Sequence, residues 1–317
     1  MSELIRLLET VVAEAEGGRP VALCAVVETM GSTPQPPGAA MLVRSDFTTL
    51  GTLGGGCVEA EVRQQAFKLL QRNSSGLLDF ALDRDYGWED GLICGGRIYI
   101  AVTPVTRDVN LKPFQEALER AKGREPTQVP VMIEHEGKRL EYRLHVEVPP
   151  TLLIAGAGHI GQAVARLAVD LDFHVVVIDD RANFAARQRF GERVELIVDD
   201  IGRALRAYPI DGGCYVVIVT RGHQQDHAAL EAVIRRPAGY IGMIGSKRKS
   251  RMILNDLADA GVPPEMIDRV HTPIGLPVNA VTVPEIAVSI MAELIQTRRQ
   301  NTPKLVEGPF EVTGTGK

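Results

Sequence analysis

The sequence predicts an α/β protein in which an α+β domain precedes a Rossmann-like domain built on a doubly wound parallel sheet. After Pro150, short apolar runs alternate with helical segments, a pattern typical of a parallel sheet that is covered by helices on both faces. Before that point, helical and strand-like patterns mix with turn-rich loops. We expect domains at 1–110 and 151–300, a linker with a hairpin at 111–150, and a C-terminal tail at 301–317.

The first domain is expected to open with an amphipathic helix and to continue with strands. Five apolar residues recur on one face of MSELIRLLETVVAEAE: Leu4, Leu7, Leu8, Val11 and Val12. The runs VALCAVVET, AMLVR and RIYIAV have the composition of strands. A short helix is predicted at Pro113–Lys122, and the alternating runs VPVMIEHEG and KRLEYRLHVEV predict a hairpin after it.

The second domain contains five apolar runs that read as strands: TLLIAGAG, HVVVIDD, VELIV, YVVIVT and YIGMIG. The segments IGQAVARLAVDL and RKSRMILNDLADAG, which follow the first and the last of these runs, read as helices. Parallel strands end at one edge of their sheet, and ligands of such sheets bind outside that carboxyl edge. The loops after these strands are therefore the places to look for binding residues.

Composition and charge narrow the class of protein. The chain has 317 residues, of which 45% are hydrophobic and 24% charged, and its length allows two domains with separate cores. The net charge of −5 argues against a dedicated binder of nucleic acid or membrane surfaces. No segment approaches the roughly 20 uninterrupted apolar residues of a membrane span. Four scattered cysteines and an N-terminus without a basic secretion signal predict a cytoplasmic protein with reduced thiols.

The loop GTLGGGCVEA places three glycines directly before a cysteine. The amides of Gly54, Gly55 and Gly56 could turn toward one point and form a concavity for an anion. The following residues have helical spacing, so Cys57 is expected at a helix N-terminus, where the dipole favours the thiolate. A plain turn that leads into a helix is the alternative interpretation.

A second cysteine also adjoins glycines. Cys94 comes directly before Gly95 and Gly96, at the start of an alternating strand. Two soft sulfur ligands that are flanked by glycines, which carry no side chains, are suited to holding a soft metal centre or to transferring a sulfur atom. This repetition favours a functional role for Cys57 over the plain turn.

The segment GAGHIG has the spacing of a dinucleotide-binding turn. Gly156, Gly158 and Gly161 follow a strand and open a helix, and Asp179 ends the next strand, where a ribose-binding acid belongs. These features predict the fold and a bound nucleotide. The alternative is that the glycines serve only the turn and the packing of helix on strand.

Other residues of the same sheet edge are further candidates for ligand contacts. His159 lies inside the glycine-rich turn, where it could hydrogen-bond a ligand or cap the loop. Ser246, Lys247 and Arg248 begin a helix and form a candidate phosphate site. Arg181, close behind the acid of the second strand, leaves the preference between NAD and NADP open.

A metal site is a weaker alternative in the loop TRGHQQDH. His223 and His227 are four residues apart, and on a helix they would share one face, with Asp226 beside them.

The motifs together resemble the XdhC/CoxI family, the accessory proteins of xanthine dehydrogenase and related molybdenum hydroxylases. The resemblance runs from about residue 20 to residue 296 and rests on GSTPQPPGAAML, GTLGGGCVEAEV, CGG, GAGHIGQAVARLA, VIDDR and YIGMIGSKRK. It implies an N-terminal XdhC/CoxI-type domain and a chaperone that binds the molybdenum–pterin cofactor (molybdopterin). Such a chaperone supports the sulfuration of the cofactor and inserts it into a hydroxylase, with a cysteine desulfurase as a further partner.

The resemblance also implies roles for individual residues. Cys57 and Cys94 would contact the cofactor and are candidate ligands of its molybdenum, while the glycines and Asp179 of the second domain would supply nucleotide or phosphate contacts. No residue is expected to be catalytic. This sequence departs from the family at Gln35. The family often has a basic residue after the proline of its GS-x-P loop, whereas here Gln35 follows Pro34.

Two other functions remain open on the sequence. An NAD(P)-dependent oxidoreductase could use His159 or His223 in proton transfer, although the first domain lacks an obvious acid–base set. A nucleotide-sensing regulatory protein would bind without catalysis. A homodimer is expected because the apolar helix VPEIAVSIMAELI could cover a partner as well as its own sheet.

Overall fold

The chain forms two compact units, one of residues 1–148 with 303–317 and one of residues 149–302. These units are seen in a computed structural model. It describes residues 3–54, 56–82, 95–301 and 304–312, with the side chains of Cys57 and Asn301 excepted.

Strands and helices alternate along the second unit, whereas the first unit contains runs of consecutive strands. The strands are β1 (Val21–Met30), β2 (Ala40–Arg44), β3 (Thr49–Gly51), β4 (Gly76–Ala81), β5 (Arg97–Val105), β6 (Thr127–His135), β7 (Lys138–Val146), β8 (Thr151–Ala155), β9 (His174–Asp179), β10 (Val194–Val198), β11 (Cys214–Ile218), β12 (Tyr240–Met243), β13 (Val270–His271) and β14 (Val306–Glu311). The helices are α1 (Glu3–Glu16), α2 (Gly56–Gln71), α3 (Leu111–Lys122), α4 (His159–Asp170), α5 (Arg187–Phe190), α6 (Ile201–Ala207), α7 (His223–Val233), α8 (Lys247–Asp259), α9 (Pro264–Asp268) and α10 (Val283–Asn301).

The first unit is built on an antiparallel sheet in the order β3-β2-β1-β5-β4. Because side chains alternate across a strand, β1 serves two cores at once. Leu23 packs on the face covered by α1 and α3, whereas Cys24 packs on the face covered by α2. The predicted helix after the triple glycine is confirmed, and Val58, Val62 and Ala66 form its buried stripe.

A smaller sheet in the order β14-β7-β6 packs in the same core as α1 and α3. The predicted hairpin of β6 and β7 is confirmed. Strand β14 lies in the segment that was expected to be a tail. Gly308 and Pro309 interrupt its alternation, and the register against β7 shifts between Glu307 and Phe310 to accommodate them.

The second unit is a parallel sheet in the order β10-β9-β8-β11-β12-β13. Numbered within the unit, this order is 3-2-1-4-5-6, that of a doubly wound dinucleotide-binding fold, so the predicted fold class is confirmed. Helices α4 and α10 cover one face, and α6, α7 and α8 cover the other. The strand order reverses between β8 and β11, which places the glycine-rich turn after β8 at the switch point.

Helix α10 covers the sheet of its own unit. Ala287, Ile290 and Leu294 are fully buried against that sheet, while Val288 on the other side is 55% exposed. The expectation of a homodimer, which was based on this helix, stays a prediction. Among the residues that the structure describes, no helix is long and apolar enough to cross a membrane.

Candidate functional site

The loop before α2 is organised by the carboxylate of Glu59. Glu59 Oε1 accepts hydrogen bonds from Thr52 Oγ1 at 2.5 Å, from the N–H of Leu53 at 2.9 Å and from the N–H of Gly54 at 3.3 Å. The Gly54 amide also approaches Thr52 Oγ1 at 3.1 Å. This amide therefore points into the loop, so the expected anion concavity is not formed by Gly54.

Gly54 has a different structural task. Its φ of +90° lies in the region that favours glycine, and an added Cβ would overlap Gln35 Cγ and lie 3.1 Å from Pro34. The glycine thus allows the loop before α2 to pack directly on the loop 31–38. Gln35, the departure from the family pattern, lies at this contact.

The segment 95–96 packs against the start of the same loop. An added Cβ on Gly96 would overlap the carbonyl oxygen of Ser32 and lie 2.8 Å from that of Met30. Ser32 also forms an isolated bridge with Gly95. Two glycine-rich segments that are distant in sequence, the loop before α2 and the segment 95–96, therefore both pack on the loop 31–38.

Helix α2 begins two residues after Gly54, which packs on this loop. Cys57 is the second residue of the helix, so its prediction at a helix N-terminus is confirmed for the backbone. Gly56 is exposed, and no atom of the described residues lies within 4 Å of an added Cβ there, so none of the described residues blocks the first turn. Gly55, Cys94 and the Cys57 side chain lie outside the described residues.

The environment of Glu59 determines its charge. Partial burial favours the neutral acid, but the hydrogen bonds from Thr52, Leu53 and Gly54 outweigh it and hold the pKa of Glu59 below its ordinary value. A carboxyl group with a lowered folded-state pKa stabilises the fold above its unfolded pKa. That contribution is lost as the pH falls through the folded pKa.

We expect Glu59→Gln to lower the free energy of unfolding by about 1 kcal/mol at pH 7, because charge-assisted hydrogen bonds are replaced by neutral ones. The difference from wild type should shrink as the pH falls below the unfolded-state pKa of a glutamate, about 4.3, and should vanish once the pH has fallen through the lower folded-state pKa of Glu59. Urea unfolding at pH 7 and pH 3.5 measures this, with Glu61→Gln as the matched control. A difference that does not depend on pH would show that the charge of Glu59 does not hold the loop.

In the second unit, close backbone packing requires glycine at two of the three glycine positions of the turn GAGHIG. Gly156 has a φ of +116°, and an added Cβ would lie 2.5 Å from the carbonyl oxygen of Val219. A Cβ on Gly161 would overlap the carbonyl oxygen of Gly156. Gly158, the N-cap of α4, has an ordinary φ of −69°, and no atom of the described residues lies within 4 Å of an added Cβ. Of the three turn glycines, Gly158 is therefore the one at which no described residue fills the space that a ligand would need.

Asp179 lies at the end of β9, where the dinucleotide pattern predicted an acid, and its contact with a nucleotide stays a prediction. It is 1% exposed at the end of β9, and it accepts hydrogen bonds from the N–H of Ala157 at 2.7 Å and the N–H of Arg181 at 3.0 Å. The Arg181 side chain donates two more, from Nε at 2.8 Å and Nη2 at 2.9 Å. The carboxylate therefore ties the glycine-rich turn to β9.

The proposed metal site in the loop after β11 is not supported. Asp226 is fully buried, accepts a hydrogen bond from Thr220 Oγ1 at 2.6 Å and pairs with Lys249. His223 is the exposed first residue of α7. Within the described ranges, no group of three or more His, Cys, Asp or Glu side chains could hold a metal ion. Asp226 instead links the loop after β11 to the start of α8.

The remaining candidates lie at helix starts. His159 is the exposed first residue of α4. Ser246 caps α8, where its hydroxyl accepts a hydrogen bond from the N–H of Lys249 at 3.3 Å. Lys247 and Arg248 are exposed on the first turn of that helix. Their role as a phosphate site stays a prediction.

Three contacts at these sites have only weak sequence signals. Glu59 stands out as an acid in a first helical turn, but nothing local shows that it bonds backward to Thr52. Arg181 lies two residues after Asp179, a spacing that permits their pairing without requiring it. Lys249 and its partner are far apart in the sequence, so only the fold reveals that contact.

Known proteins match nearly the whole chain. The uncharacterized protein YqeB of Escherichia coli K12 is 29% identical over 296 residues, which are 93% of this chain and 47% of YqeB. The chain thus spans about half the length of that relative. The molybdenum cofactor insertion chaperone PaoD of the same organism is 25% identical over 301 residues, which are 92% of this chain and 88% of PaoD.

A solved structure and two family models agree with these matches. A crystal structure described as a xanthine dehydrogenase from Bacillus halodurans superposes with a TM-score of 0.81 and 26% identity, covering 95% of this chain and 97% of that chain. Residues 152–294 match the XdhC Rossmann domain, and residues 15–81 match the XdhC and CoxI family. The two models together cover more than half of the sequence, and the chain belongs to the XdhC and CoxI family.

Proposed function

We propose that the chain is an accessory chaperone that binds the molybdenum–pterin cofactor, supports its sulfuration and inserts it into a xanthine dehydrogenase-type hydroxylase. The observation that carries this proposal is that the segments 51–54 and 95–96 both pack on the loop 31–38, close in sequence to the start of α2 at Gly56. Cys57 is the second residue of that helix. In the sequence, Cys94 directly precedes the segment 95–96.

The start of α2 suits the chemistry of such a cofactor. The cofactor is anionic, and a helix N-terminus offers free N–H groups and the positive end of a dipole. None of the described residues lies within 4 Å of an added Cβ on Gly56, so none of them keeps a ligand away from the backbone there. The same dipole favours a thiolate at Cys57, a soft ligand suited to a soft metal or to sulfur transfer. When bound, the cofactor supplies the molybdenum centre, and this chain contributes binding and protection.

The comparisons support the same role. The match to PaoD, a molybdenum cofactor insertion chaperone, extends over both units. The superposed structure from Bacillus halodurans, described as a xanthine dehydrogenase, points to a hydroxylase of that type as the client. A cysteine desulfurase partner and a homodimer are further parts of this proposal.

The molybdenum and pterin content of the freshly purified protein tests the proposal. The full chain would be produced in a host that makes the cofactor, and molybdenum would be measured by mass spectrometry and pterin by fluorescence after oxidation. We expect both in equal amounts, and we expect the protein to activate a cofactor-free hydroxylase. Release of a nicotinamide dinucleotide without pterin or molybdenum would instead identify an oxidoreductase and contradict the proposal.

A further inference from the structure

We infer that Arg181 determines the ligand specificity of the second unit by occupying the carboxylate that would otherwise accept ribose hydroxyls. The fold is that of a dinucleotide-binding domain, but Arg181 excludes recognition of an NAD-type ribose. This inference goes beyond the proposed chaperone role and does not depend on what the first unit binds.

The position of Asp179 is that of the ribose-binding acid. It is the last residue of β9, the second strand of the doubly wound order, and one of its oxygens accepts from Ala157 inside the glycine-rich turn. In dinucleotide-binding folds an acid at this place hydrogen-bonds the ribose 2′-hydroxyl. The backbone geometry for such a site is therefore present in the chain.

The acceptor capacity of this carboxylate is used within the protein. An ionised carboxylate has about four acceptor positions. Oδ1 accepts from the backbone N–H and from Nε of Arg181, and Oδ2 accepts from Ala157 and from Nη2 of Arg181. Three of the four donors belong to Arg181, so the arginine stands where ribose hydroxyls would donate.

Neighbouring residues keep the arginine in this position. Its guanidinium carbon lies 3.7 Å from the centroid of the Phe184 ring, a distance suited to a cation–π contact. Asp180 Oδ1 lies 3.9 Å from Arg181 Nε, and the same carboxylate pairs with Arg221 at 2.9 Å. A ribose would have to displace a bidentate, charge-assisted pair that is also stacked.

Removing Arg181 should therefore create affinity for NAD⁺. Titration calorimetry of the full chain with NAD⁺ would compare wild type with Arg181→Ala. We expect at least a tenfold lower Kd in the variant, equivalent to about 1.4 kcal/mol. Arg166→Ala, which removes the same charge from an exposed position on α4, should bind NAD⁺ like wild type. If the alanine variant does not fold, Arg181→Gln removes the cation and serves the same test.

Two further measurements identify the carboxylate as the cause. Adding Asp179→Asn to the alanine variant should abolish the gain, because the ionised acceptor is then missing. NADP⁺ should gain nothing in the alanine variant, because its 2′-phosphate would face the bare Asp179 carboxylate. Equal NAD⁺ affinity in wild type and variant, an equal gain for NADP⁺, or a gain that survives Asp179→Asn would each overturn the inference.

Discussion

Gly161→Ala is expected to lower the free energy of unfolding by about 2 kcal/mol or more, while Gly158→Ala costs less than about 1 kcal/mol. The Cβ of an alanine at 161 would overlap the carbonyl oxygen of Gly156, and backbone cannot move aside as a flexible side chain can. The better helix propensity of alanine, about 1 kcal/mol, does not compensate. At Gly158 the added Cβ contacts none of the described residues, and only a tolerated N-cap residue is lost.

Chemical denaturation of the two variants measures this contrast, with circular dichroism to show that each begins from a native fold. A larger residue at position 158 separates packing from binding. Gly158→Val should leave the protein folded and weaken any phosphate-bearing ligand that approaches the turn. Equal destabilisation by the two alanine substitutions would contradict the packing that we describe for Gly161.

The fold of the second unit could be predicted because its sheet is buried on both faces. The five predicted strands are continuous apolar runs, and glycine-rich or polar turns separate them. Strand β13 was missed because it has only two residues, too few for a pattern.

In the first unit, strand β14 was missed because its glycine and proline read as a turn, while its pairing with β7 depends on residues far away in the sequence.

The candidate sites could be predicted as motifs but not as contacts. The sequence marks Gly54 and Gly96 as unusual, yet only the fold shows that both pack on the loop 31–38. The acid at the end of β9 was found at the predicted place, but its occupation by Arg181 could not be derived from spacing alone. The hydrogen bonds that a side chain already makes decide what else it can bind. Those bonds form only in the folded protein, so the sequence does not show them.

Cys57→Ala is expected to leave the fold intact and to reduce retention of the molybdenum cofactor by at least tenfold, a loss of about 1.4 kcal/mol. Cys57 is the second residue of α2, and a helix N-terminus favours an anion, whereas the buried stripe of the helix is formed by Val58, Val62 and Ala66, so the substitution should leave that stripe undisturbed. Cys214→Ala is the matched control, because that cysteine is buried at the start of β11 in the second unit.

Cys24 and Cys214 are the references against which the reactivity of Cys57 can be compared. Burial raises the pKa of the Cys24 thiol, and burial is also the largest cause that raises the pKa of Cys214. Both should therefore react slowly with alkylating reagents at neutral pH. A thiol at an open helix N-terminus should be alkylated faster, and at a lower pH, than an ordinary free thiol.

Timed alkylation with iodoacetamide, read by mass spectrometry with and without bound molybdenum cofactor, tests the role of Cys57 most directly. We expect Cys57 to be modified much faster than Cys24 and Cys214 in the cofactor-free protein, and to be protected once the cofactor is bound. If Cys57 reacts as slowly as the two buried cysteines and its rate does not change with cofactor, the glycine-rich loop is only a turn and the chain does not hold the cofactor there.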